Sequence, residues 1–471
     1  MDDLLDLSAR EQAAALEAGQ VSAEELMRAT LARIDRRNGA VNAIVSLRDE
    51  EMLLAEARAA DQAPRKGLLH GLPMAVKDLS NVAGLPTSMG SPIMAGQVAR
   101  KDDLMVARMR AAGALFIGKT NTPEFGLGSH TFNPVHGATG NAWDPALSAG
   151  GSSGGAAVAL ACGMLAVADG SDMMGSLRNP AGWNNVYGMR PSWGRVPDAA
   201  EGETFLHPLA TNGPMARNPR DLAALLEVQA GPNPARPFTL PAEPFLSRIE
   251  APVKGRRVAW LGDWGGAYAM EAGVLATCEA ALAHFDTLGV TVEVLDPPFD
   301  AARLWQAWLD LRAFANANRL APLYGNPEWR RQLKDTAIWE IETGRALTLE
   351  AVQAASLARS QWWAKAAALF EVYDALLLPS AQVWPFPVAQ EYPTDIAGRA
   401  MDTYHRWMEV VLPVSILGLP AVSVPAGFGP GGLPMGMQLI GRHGDDLGLL
   451  QLAEAWHQAT PFAGRRPALA G

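Results

Sequence analysis

Residues 170–197 read GSDMMGSLRNPAGWNNVYGMRPSWGRVP. In this stretch a serine, Ser176, follows a glycine-bearing turn and precedes Arg178 and Pro180. Successive main-chain N–H groups in such a turn can converge on one point, which is what stabilisation of an oxyanion requires. In isolation the default reading of the same segment is a polar turn that joins a helix to a strand. The deciding context is upstream. From Leu72 to about Pro197, short apolar runs alternate with many glycines, prolines and small polar residues. Glycine at this density lets backbones approach closely and turn tightly, and active sites need both.

Three further features in this region compete for a chemical role. GGSSGG (150–155) matches G-x-S-x-G twice, centred on Ser152 and on Ser153. A nucleophile elbow of that pattern needs a strand directly before it. The preceding NAWDPALSA (141–149) holds a proline and a polar turn instead, although a small-residue helix is expected after it, from about Gly155 to Met164. The elbow is therefore half supported. GALFIGKT (113–120) matches a phosphate-binding loop formally. Its interior is Ala-Leu-Phe-Ile, an apolar run that reads as a strand where a phosphate loop needs an exposed, flexible backbone, so the match is accidental. Lys77, in HGLPMAVKDLS (70–80), ends a strand expected over 73–76. A lysine there is ordinarily a surface residue, but burial would favour its neutral form. To serve as a base near neutrality its pKa must fall by about three units, roughly 4 kcal/mol.

Outward from this core, Ser22 and Glu25 form a capping box for a helix that should stop at Asn38-Gly39. A short strand is expected over 41–47, then a helix to about residue 61. Residues 200–255 read as loop plus one helix over 219–230, and the Pro-rich 231–245 is the best candidate for a boundary. RVAWLG (257–262), a helix over 271–288 and VTVEVLD (290–296) make a strand–helix–strand unit. Residues 300–373 look mainly helical. Strands follow at 373–380, 421–427 and 436–441, with a last helix over 446–458. Strands and helices alternate from end to end, which makes the class α/β.

The whole composition narrows the function. The chain has 471 residues, a net charge of −10 and 49% hydrophobic residues, an ordinary globular balance. An acidic chain is not a general nucleic-acid binder, which needs a basic face, and it is a poor match for anionic membranes. The two cysteines, Cys162 and Cys278, lie in apolar stretches and read as buried free thiols. The acidic, amphipathic start MDDLLDLSAREQ has no signal-peptide pattern, and no apolar run is long enough to span a bilayer. A cytoplasmic protein is the expectation.

Taken together, HGLPMAVKD, GKTNTPEFG (118–126), NAWDP (141–145), GGSSGG and the 170–197 stretch resemble the amidase signature family, with a weaker match in LPVSILGLPAVSVPAG and GLPMGMQLIG (412–441). The order and spacing of these motifs make the resemblance specific. It implies a single large domain with a twisted mixed β-sheet core covered by helices. Within it, 1–65 would be N-terminal helices, 66–200 the signature core, 201–410 a variable substrate-side region and 411–471 a return to the sheet. It also implies a Ser–Ser–Lys triad: Lys77 as base, Ser152 as relay, with a cis peptide between Gly151 and Ser152, and Ser176 as nucleophile. The N–H groups of Met173, Met174, Gly175 and Ser176 would hold the oxyanion, and Gly151, Ser153, Asp172 and Arg178 would support the site. Family members usually carry glycine where this chain has Met174, whose side chain could restrict the turn or enter the acyl pocket. No metal or organic cofactor is implied.

The resemblance leaves the substrate open. Fourteen tryptophans, several of them in the variable half, suggest an apolar or aromatic amide, ester or carbamate. Phe125, His130, Met174 and Trp384 are candidates for lining the pocket. The rival reading is a glutamine-hydrolysing amidotransferase A-type subunit of a tRNA-modifying complex, which would need a docking surface and polar groups for a charged substrate. A catalytically decayed scaffold is the third reading, and the intact Lys77, Ser152 and Ser176 oppose it. A monomer or homodimer acting on a small molecule is expected.

Overall fold

Strands that are apolar throughout, such as ALLLP (375–379), AVSVPAGF (421–428) and PMGMQLI (434–440), can only be satisfied inside a protein covered on both faces. They form the centre of an eight-stranded mixed sheet in the computed structural model, which describes residues 2–198 and 203–470. The order across the sheet is Thr291–Val294, Arg257–Trp260, Ala375–Pro379, Pro434–Ile440, Ala421–Phe428, Tyr187–Arg190, Thr211–Ala216 and Val167–Asp172. The first three run parallel, and every later pairing is antiparallel. A second, three-stranded sheet places Leu115–Thr120 between Ile44–Val45 and Pro73–Lys77. Helices cover both, so the architecture is the expected single α/β domain. Among the described residues no helix is long and apolar enough to cross a membrane. Cys162 and Cys278 are buried free thiols, and burial pushes Cys162 up to about 12.

Two expectations need correction. The helix that starts at the Ser22–Glu25 capping box does not stop at Asn38-Gly39. It runs Ala23–Val41 and ends at left-handed Asn42, φ 50°. The Asn38 amide is what terminates it: its oxygen accepts from the N–H groups of Ala43 and Ile44, at 2.9 and 2.8 Å. That leaves only Ile44–Val45 of the strand expected over 41–47. The second correction concerns two strands: Val167–Asp172, whose last residues read as a turn, and Thr211–Ala216, within the stretch that read as loop. The first residues of the loop expected over 200–255 lie outside the described residues. Both strands contain glycine, and Thr211–Ala216 also contains proline, which ordinarily argues against a strand. The reason is crowding. The segment around Leu177 lies directly on the sheet, so a Cβ on Gly170 would fall 2.6 Å from Leu177 Cδ2, and one on Gly213 would fall 2.9 Å from Leu177 Cδ1.

Candidate active site

Lys77 is the last residue of Pro73–Lys77, a strand buried at every position, and its own side chain is 1% exposed. The strand ends where the two sheets meet. Its N–H points at both carboxylate oxygens of Asp169, each at 3.3 Å, on the edge strand of the larger sheet. The ammonium nitrogen reaches Ser152 Oγ and Ser153 Oγ, both at 2.8 Å, Ser171 Oγ at 3.1 Å and the Ser171 carbonyl at 3.4 Å. Burial brings the Lys77 pKa down to about 7 against the opposing pull of Asp169 and Asp172. Desolvation penalises the charged form, and hydroxyls do not offset it as a salt bridge would. Burial likewise pushes Asp169 up to about 6, although Lys119 and Lys77 oppose this.

The GGSSGG loop is fixed from several sides. The Gly151–Ser152 peptide is cis. The Gly150 carbonyl accepts from Thr131 N–H and Oγ1, at 3.1 and 2.8 Å, and the Gly151 carbonyl accepts from Ser129 Oγ at 2.5 Å. The helix Gly154–Ala161 then starts, pressed so close to the end of Leu115–Thr120 that a Cβ on Gly155 would lie 2.4 Å from the Asn121 nitrogen. Ser153 N–H donates to the Ser176 carbonyl at 3.2 Å, which ties this loop to the turn carrying Ser176. Ser176 retains 7% of its surface, against 2% for Ser152 and 1% for Lys77. Of the three, Ser176 is thus the group nearest to solvent.

Asp172 organises the turn. Its carboxylate accepts from Gly175 N–H at 2.9 Å and Leu177 N–H at 3.1 Å, and it takes both Nε and Nη2 of Arg178 at 3.0 Å. Arg190 Nη1 lies 3.2 Å from the same carboxylate. Burial works to raise the Asp172 pKa, and Arg178 and Arg190 outweigh it, holding the carboxyl well below the usual range. Gly175 therefore departs from expectation: its N–H is spent on Asp172. Met173, Met174 and Ser176 keep N–H groups with no protein acceptor among the described residues. The usual glycine at position 174 is dispensable here, because the turn's left-handed residue is Gly175, φ 82°, whereas Met174 is not in that region. The Met174 side chain is buried in the main core.

Of the four candidate pocket residues, one lines the cavity that Ser129 joins to the GGSSGG loop. This space of about 310 Å³ is bounded by Leu127–His130, Phe132, Lys334–Thr336, Glu391, Tyr392, Tyr404 and Trp407. His130 belongs to it. The Val388 carbonyl, 3.0 Å from Nε2, places the ring proton on that nitrogen, so Ser148 Oγ donates to Nδ1 at 2.7 Å. Burial lowers its pKa to about 4, so it stays neutral. Phe125 is instead buried in a satellite core with Leu320, Tyr324 and Ile341. Trp384 is an anchor: its indole N–H donates to the Ala272 carbonyl at 3.1 Å, and its ring fills the space a Cβ on Gly429 would need. Ser171, Asp169, Tyr404 and Trp407 were not singled out in the sequence. Ser171 lies inside the decisive stretch and could have been. Tyr404 and Trp407 reach the cavity only through long-range folding. No group of three or more His, Cys, Asp or Glu side chains could hold a metal ion among the described residues.

The amidase family model matches residues 25–450. An acylamidase of Rhodococcus erythropolis is 34% identical, covering 98% of this chain and 97% of its own. The A-type subunit of the glutamyl-tRNA(Gln) amidotransferase of Moorella thermoacetica is 33% identical, covering 99% of both. The crystal structure of a bacterial aryl acylamidase, itself an amidase signature enzyme, superposes with a TM-score of 0.91 at 28% identity over 99% of this chain and 98% of that one. The chain therefore belongs to the amidase signature family of hydrolases that act on amides.

Proposed function

We propose that the protein hydrolyses small amides with an apolar or aromatic part, through an acyl-enzyme on Ser176. The observation that carries this reading is Lys77, buried, held to about 7 and 2.8 Å from Ser152 Oγ. A serine hydroxyl needs a base to become a nucleophile. Neutral Lys77 takes the Ser152 proton, Ser152 takes that of Ser176, and Ser176 Oγ attacks the carbonyl carbon. The N–H groups of Met173, Met174 and Ser176 receive the oxyanion. The proton returns through Ser152 to the leaving nitrogen, because an amine leaves badly as an anion. Water then cleaves the acyl-enzyme by the same relay. Ser153 and Ser171 share Lys77 and orient it, and Asp172 with Arg178 stiffens the turn.

The aromatic rim of the cavity, Phe132, Tyr392, Tyr404 and Trp407, supports an aromatic or apolar substrate. Esters and carbamates present the same carbonyl and are expected as further substrates. The test is turnover of an aryl anilide, an aliphatic amide, an aryl ester, a carbamate and glutamine by the parent protein and by Ser176→Ala. Turnover of the apolar substrates by the parent alone is the expected result. Equal turnover by both proteins would remove Ser176 as nucleophile. Hydrolysis of glutamine alone would move the chain to the role named for the Moorella relative.

A further inference from the structure

The loop 124–130 runs beside Gly151 and Ser152 with little regular structure of its own. Phe125, Gly126 and Gly128 have φ of 53°, 70° and 103°, so three of five successive residues are left-handed. Three of its N–H groups bond other backbone: Phe125 donates to the distant Met89 carbonyl, Gly126 to Pro123 and Leu127 to Glu124, at 2.8, 2.8 and 3.1 Å. Two of its carbonyls turn to the helical region instead. Arg319, on the helix Ala301–Gly325, donates to the Phe125 carbonyl at 3.2 Å, and Lys334, which precedes the helix Asp335–Ala346, donates to the Leu127 carbonyl at 2.7 Å. The loop delivers two things to the site: Ser129, whose hydroxyl holds the Gly151 carbonyl, and Gly126, where an ideal Cβ would sit 3.7 Å from Ser152 Oγ.

We propose that Lys334 is a positioning residue: its ammonium holds the Leu127 carbonyl and so fixes the loop that seats Ser129 and Gly126 around the relay serine. The inference rests on the catalytic reading above. Lys334 also lines the cavity, beside Asp335, Glu391, His130, Tyr392 and Tyr404. Glu124, Glu391 and Glu340 favour its charge, Arg312 opposes it, and burial dominates, lowering its pKa to about 8. An amine donates far more weakly than an ammonium. The clamp therefore loosens as pH rises through about 8, just above the point at which Lys77 becomes a competent base. Activity should rise through the first value and fall through the second.

The experiment is kcat and KM for an aryl anilide from pH 6 to 10, for the parent, Lys334→Arg and Lys334→Met, with Ser176→Ala as control. Lys334→Met should lower kcat at least tenfold with KM changed less than threefold, and should lack the falling limb near pH 8. Lys334→Arg should recover most of kcat and move the falling limb beyond pH 10. A parent-like Lys334→Met with its falling limb intact would overturn the proposal. So would a change in KM alone, which would make Lys334 a substrate contact. Should Lys334→Met not fold, a falling limb still near pH 8 in Lys334→Arg would overturn it by itself. Activity surviving in Ser176→Ala would defeat the catalytic reading, an outcome separate from any of these.

Discussion

Lys77→Met should abolish activity yet make the protein more stable at neutral pH. Burial lowers the Lys77 pKa from 10.5 to about 7. At 1.36 kcal/mol per pH unit, holding this side chain in place costs folding about 5 kcal/mol at and below neutrality. Methionine removes that cost in nearly the same volume. It also strips a partner from Ser152, Ser153 and Ser171, a loss of about 1 kcal/mol each. The net gain is then about 2 kcal/mol at pH 7. The sign with pH follows from proton counting. Between about 7 and 10.5 the unfolded chain binds a proton at Lys77 that the folded chain does not, so the parent gains stability as pH rises while Lys77→Met does not. The advantage of the variant should shrink by about 1.4 kcal/mol per pH unit above 7, reverse at about pH 8.5 and become a deficit of about 3 kcal/mol at the top of the window. Urea unfolding of both proteins at pH 7, 8.5 and 10, alongside anilide hydrolysis, measures it. A variant that is destabilised by the same amount at every pH would refute the idea that the lysine is held near neutrality by burial.

Asp172→Asn leaves Arg178 and Arg190 buried without their counter-charge, which should cost about 3 kcal/mol or more in urea unfolding and lower kcat as the turn loosens. Gly175→Ala places a Cβ 2.8 Å from Val411 Cγ2 at φ 82°; the backbone conformation alone costs about 1–2 kcal/mol. Because the turn carries the free N–H groups, kcat should fall at least tenfold with KM little changed, as read by steady-state anilide hydrolysis.

The proposed base and relay were legible because their motifs are contiguous: HGLPMAVKD ends a uniformly apolar strand, and GGSSGG supplies two of the three hydroxyls that Lys77 contacts. Long apolar strands such as Ala421–Phe428 were equally readable. The strands Val167–Asp172 and Thr211–Ala216 were not, because their glycines answer to a chain segment packed on top of them, a fact no local pattern carries. The cavity shows the same limit. His130 follows a motif and was found. Lys334, Tyr404 and Trp407 come from the helical region and the approach to the last strands, and only tertiary folding brings them to the loop after Glu124. Tryptophan abundance misled in the case of Trp384, since a large ring with a satisfied indole is as suited to packing as to binding.

The seam between the two sheets has a consequence for synthesis. Lys77 belongs to the three-stranded sheet, and Ser176 follows the edge strand of the eight-stranded one. The larger sheet is assembled out of chain order. Its middle positions are held by Ala421–Phe428 and Pro434–Ile440, which separate Tyr187–Arg190 from Ala375–Pro379. A ribosome-bound chain that has already displayed Lys77, Ser152 and Ser176 still lacks the strands that close the gap. It also lacks Val411, Ser415 and Gln438, each of which accepts a hydrogen bond from Arg178, two residues beyond Ser176. If Ser176 is the nucleophile proposed above, a chain truncated before Val411 is expected to be released inert rather than as an unselective hydrolase.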